Sequence, residues 1–128
     1  MATITEDYVS FETAKLLKEK GFNNISSIMY KENGEICINP KSVVSWRLKY
    51  WYPCLTLQMA MKWLRDVHNL CIEPYRTACG YLYTISTIPY GSCKCNPKEG
   101  GDDEYCGQWT TYEGACEAAI KYCLENLI

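Results

Sequence analysis

Nine cysteines in a chain of 128 residues force the first choice about its fold. A small disulfide scaffold and an ordinary apolar core with reduced thiols are different molecules, and cysteine spacing separates them. Here the count is odd, and Met1 to Asp7 is acidic where an export signal would be basic and then apolar. Cys37, Cys54, Cys71, Cys116 and Cys123 also fall within or beside apolar segments, as small buried residues do. The expectation is therefore a reduced, cytoplasmic chain, and its 48% hydrophobic content is enough for an unstapled core. No run approaches the roughly 18 apolar residues of a membrane span.

Local pattern then sets the elements. Ser10 is placed to cap a helix to about Lys20, with Gly21 as its left-handed stop and Phe11, Ala14, Leu17 and Phe22 facing inward. Asn33-Gly34, between Ile28–Lys31 and Ile36–Ile38, reads as a two-residue hairpin turn. From Val44 to Tyr52 the residues alternate, with Trp46, Tyr50 and Tyr52 on one face and Arg47, Lys49 and Trp51 on the other, so a strand ending at Pro53 is expected. Thr56 opens a second helix through about His68; Leu57, Ala60, Met61 and Leu64 make its stripe, and Met59 and Trp63 widen it into a well-buried helix.

Two further strands follow at Leu70–Thr77 and Tyr81–Ile88, paired as neighbours. Residues 89–107 read as an irregular Cys-, Gly- and Asp-rich loop within the domain. The last helix opens with Thr110 and Glu113 as a capping box; Tyr112, Ala115, Cys116, Ala119, Ile120, Cys123, Leu124 and Leu127 recur as its one apolar face, with Glu117 and Lys121 paired on the solvent side. The fold class expected is α+β: one domain over 1–128, a mainly antiparallel sheet covered by helices, in the order α-β-β-β-α-β-β-α.

Chemistry is sparse. There is no phosphate loop, nucleophile elbow or carboxylate-histidine metal signature, so the chain reads as non-enzymatic. His68, the one histidine, suits the negative end of the second helix better than catalysis. Cys93, Cys95 and Cys106 are the metal candidates, because three thiolates on one segment suit zinc, with Cys79 or His68 as a fourth ligand. Free thiols in a loop are the simpler reading. Apart from zinc no cofactor is expected.

The net charge of −2 conceals an asymmetry: Lys41 to Arg76 holds six bases against two acids, whereas Glu99 onward holds seven acids against one base. That balance argues against general nucleic-acid binding while leaving room for one anionic ligand in the centre. Arg47, Lys49, Arg65 and Arg76 are the candidate phosphate contacts; Trp51, Tyr81 and Tyr83 are the candidate stacking rings. Packing of the 46–52 aromatics against helices is the competing reading.

The segments Thr56 to Arg65 (TLQMAMKWLR), Tyr112 to Leu127 (YEGACEAAIKYCLENL) and Tyr8 to Phe22 (YVSFETAKLLKEKGF) resemble small uncharacterised proteins of Bacteroides-type gut bacteria and their phages. The resemblance covers the helices and leaves out the Cys-rich stretch. It implies a mobile-element accessory protein in a bacterial cytoplasm. The function expected in that setting is a non-enzymatic binder that captures a host protein or a small anionic, nucleotide-like defence signal, with association of copies left open. The alternative is a nucleic-acid-associated protein with a small zinc site.

Overall fold

The computed structural model describes residues 6–22, 28–38, 51–77, 80–88, 93–95 and 109–128. They form an α+β protein whose residues group into two compact units, 1–58 and 59–128. The strands are all antiparallel and divide into two three-stranded sheets, one per unit.

In the first unit, helix α1 spans Phe11–Glu19. Ser10 caps it, its Oγ accepting from the Thr13 N–H at 3.3 Å, and Gly21 takes φ +110 just beyond its end. Both residues act as the sequence requires. Strands β1 (Ile28–Lys31), β2 (Ile36–Ile38) and β3 (Trp51–Pro53) lie in the order β2-β1-β3, and α1 packs on β3. Val9, Ala14, Leu17, Met29 and Cys54 form the core, where the Tyr30 hydroxyl donates to the Val9 carbonyl at 2.6 Å.

One local expectation needs correcting. The β1–β2 turn holds three residues: Lys31 pairs with Glu35, and Gly34 alone takes a positive φ, +90. Asn33 instead uses its Oδ1 to accept from the Glu35 N–H at 3.0 Å, so one left-handed residue suffices. The strand ends at Pro53 as expected, with Pro53 itself paired to Met29. The expected start of that strand, residues 44–50, lies outside the described residues.

Helix α2 spans Leu57–His68, and the unit boundary falls after Gln58. In the second unit its Ala60, Met61 and Leu64 are buried, but Met59 and Val67 are 52% and 56% exposed. The helix is thus amphipathic, and Met59 belongs to its outer side and not to a widened buried stripe. Lys62 and Asp66 form an i,i+4 ion pair at 3.0 Å on that helix. Asn69, at φ +57, ends it in the left-handed region.

Strands β4 (Leu70–Arg76) and β5 (Tyr81–Thr87) pair over seven positions, and β6 (Cys93–Cys95) adds to β5 with a one-residue shift in register. Pro74 is accommodated because β4 ends the strand order. β6 places a strand inside the expected irregular loop; the rest of 89–107 lies outside the described residues. Helix α3 (Tyr112–Tyr122) packs on β4 and β5 and runs into a π-helical turn at Cys123–Leu127. There the Asn126 side-chain amide donates back to the Tyr122 carbonyl at 3.3 Å.

The cap of α3 is Thr111 and not Thr110: its Oγ1 accepts from the Gly114 N–H at 3.0 Å, and no Glu113 capping box is needed. Trp109, two residues earlier, bridges Tyr81 through its backbone, and Thr111 itself is extended at φ -127 and ψ 155. Ala115, Cys116, Ala119, Ile120, Cys123 and Leu124 are fully buried as their spacing requires, whereas Tyr112, expected on the same face, is exposed and Leu127 is half-buried. Glu117, expected on the solvent side, is half-buried with its Oε2 out of reach of water. Among the described residues no helix is long and apolar enough to cross a membrane.

Candidate functional site

Strand register creates a cation–aromatic surface in the second unit. Arg76 ends β4 and Tyr81 begins β5, so the hairpin makes them direct partners. Thr77 and Gly80 close that hairpin, with the Thr77 N–H donating to the Gly80 carbonyl at 2.7 Å. The exposed Arg76 guanidinium then lies 5.5 Å from the centre of the Tyr81 ring. Tyr112, the first residue of α3 and 38% exposed, meets Tyr81 edge-on at 6.2 Å.

Other residues expected at the site take different places. Tyr83 is 4% exposed and packs 5.0 Å from Trp109, so it is part of the core and not an open stacking face. Arg65 is half-buried in the last turn of α2, where a cation favours the negative helix end. His68 ends the same helix; its ring meets Trp63 edge-on at 4.7 Å, and its Nε2 is buried with no hydrogen-bond partner among the described residues.

Trp51 belongs to the first unit, so the expected ligand residues divide between the units; Arg47 and Lys49 lie outside the described residues. Trp51 is half-buried on β3, opposite Lys31 of β1. Lys18 of α1 donates to the Trp51 carbonyl at 2.9 Å and sits 4.9 Å from the Tyr52 ring centre. Burial holds the Lys18 ammonium below the usual lysine pKa. The Phe11 ring lies 5.5 Å from both Tyr30 and Tyr52, and Lys15 stands 4.9 Å above it. Sequence reasoning overlooked Lys15 and Lys18, although their i+4 and i+7 offsets from Phe11 put all three on one helical stripe.

Among the candidate zinc ligands, Cys93 and Cys95 lie on β6, whereas Cys106 is outside the described residues. Among the described residues no three His, Cys, Asp or Glu side chains are grouped to hold a metal ion. Cys54, Cys71, Cys116 and Cys123 carry reduced thiols. Burial pushes the Cys116 thiol up to about 11, with Glu113 and Glu117 adding to the shift and a hydrogen bond with Tyr112 opposing it. Such a thiol is a packing group and a poor nucleophile.

Among the described residues these features define an α+β protein with a cation–aromatic cluster in each unit. Comparison with protein-family models, with curated proteins and with solved structures returns no match to this chain.

Proposed function

We propose that this is a small non-enzymatic binding protein that captures an anionic, ring-bearing ligand of the nucleotide type at Arg76, Tyr81 and Tyr112. The observation that carries the reading is the placement of Arg76 over Tyr81, with the exposed Tyr112 ring alongside. A guanidinium is a planar donor suited to phosphate oxygens, and a neighbouring ring offers a face or edge to a base. In the mobile-element setting suggested by the sequence resemblance, such a ligand would be a defence signal held without being consumed.

The test is calorimetric titration with nucleoside mono-, di- and triphosphates, with the recovered nucleotide checked for chemical change. At least one should bind and emerge unaltered. Arg76→Ala should weaken it about tenfold or more, and Tyr81→Ala should weaken it as well. Absence of binding, or wild-type affinity in both variants, overturns the reading. A protein partner is the second reading, favoured by Met59 and Val67, which expose apolar surface on α2. Loss of host-protein capture on Met59→Glu, with nucleotides ineffective, would support that reading instead.

A further inference from the structure

We propose that the outer edge of β2 is a self-association surface, on which β2 of a second copy of this chain pairs antiparallel. Ladder phase determines which backbone groups are available there. The Lys31 N–H donates to the Glu35 carbonyl at 2.7 Å, so Lys31 and Met29 turn their backbone groups to β2, opposite Glu35 and Cys37. The Cys54 N–H donates to the Ile28 carbonyl at 3.0 Å, so Ile28 and Tyr30 turn theirs to β3. Alternation then directs the N–H and C=O groups of Ile36 and Ile38 away from β1. β2 ends its strand order, and no described strand takes up those groups.

Two other edge strands are guarded. On β3 the outward residues are Trp51 and Pro53: Lys18 occupies the Trp51 carbonyl at 2.9 Å, and Pro53 has no N–H to offer. On β4 the Thr77–Gly80 and Asn69–Ile88 bonds turn Cys71, Glu73 and Tyr75 towards β5, which leaves Pro74 facing outward without a donor. Among the described residues β2 carries neither device. It presents instead Ile36, 56% exposed and on the same face as its cross-strand neighbour Tyr30. The occupant follows from the strand itself, since Ile36-Cys37-Ile38 reads the same in both directions. A two-fold axis through Cys37 sets Ile36 of each copy opposite Ile38 of the other, and their outward N–H and C=O groups exchange hydrogen bonds. That register also keeps the two Glu35 residues at opposite ends of the pair, so like charges do not meet. The contact is short, which makes the dimer weak and concentration-dependent.

The experiment is sedimentation velocity of the full, reduced chain over a concentration series, with amide hydrogen exchange read residue by residue at its two ends. A reversible monomer–dimer equilibrium is expected. Ile36→Lys, which puts a charge on the paired edge, should weaken it about tenfold or more, and Met59→Lys on α2 should leave it unchanged. In the dimer the Ile36 and Ile38 amides should exchange more slowly than in the monomer, while the Cys37 amide, already turned to β1, changes less. This exchange pattern in the unaltered chain carries the test if Ile36→Lys disturbs the fold. A chain that stays monomeric at every concentration overturns the proposal, even if it captures a foreign strand. So does a dimer that leaves the Ile36 and Ile38 amides unprotected. Association lost in Met59→Lys and kept in Ile36→Lys would place the contact on α2 and overturn the assignment to β2.

Discussion

Cys116 keeps its proton in the folded protein after an unfolded chain would have released it, because its pKa rises from 9.0 to about 11. The associated stability is whole below pH 9 and is lost as the pH climbs towards 11. Lys18 acts oppositely: its depressed pKa means that the unfolded chain holds the proton longer, so its contribution rises with pH on approaching 10.5. Chemical denaturation across this range should therefore show a loss from Cys116 that Cys116→Ala removes. Thiol labelling near pH 8, read by peptide mass, should modify the half-buried Cys71 before the buried Cys54, Cys116 and Cys123. Gly114 supplies another test. A Cβ there would stand 3.0 Å from Thr111 Oγ1, so Gly114→Ala should forfeit the gain of about 1 kcal/mol that alanine ordinarily gives a helix. Thr111→Ala should cost about 1 kcal/mol in thermal or denaturant unfolding by removing the cap.

Each helix was legible as an element because caps and apolar offsets agree over several turns. Precision failed where two neighbouring residues could perform the same task. Thr110 and Thr111 are both good caps, and only the pairing of Trp109 with Tyr81 decides between them. The turn at Gly34 is similar: Asn33-Gly34 suits a two-residue loop, but the pairing of Lys31 with Glu35 requires three residues. Gly34→Ala should be destabilising, since it forces φ +90 on a residue with a Cβ and brings that Cβ 3.4 Å from Phe11. In α2 the same composition that predicts burial leaves Met59 and Val67 outside. Leu64→Ala should cost about 2–5 kcal/mol in denaturant unfolding. Val67→Thr should stay within about 0.5 kcal/mol.

Across the molecule, fold class was easier to read than site. The α+β class follows from local periodicities, whereas the pairing of Arg76 with Tyr81 depends on strand register and the Lys18–Tyr52 contact spans 34 positions of chain. Residue type alone placed Tyr83 with the ligand-facing rings; the packing of Trp109 removed it. Both units bury apolar cores. The π-helical turn at Cys123–Leu127 also bears on chain length. A π turn accommodates a surplus residue without breaking its helix, so deletion of the exposed Asn126 should let the backbone relax to ordinary α spacing. Cys123 and Leu124 precede the deletion and would keep their buried places, making this turn a frame-tolerant position in the final helix.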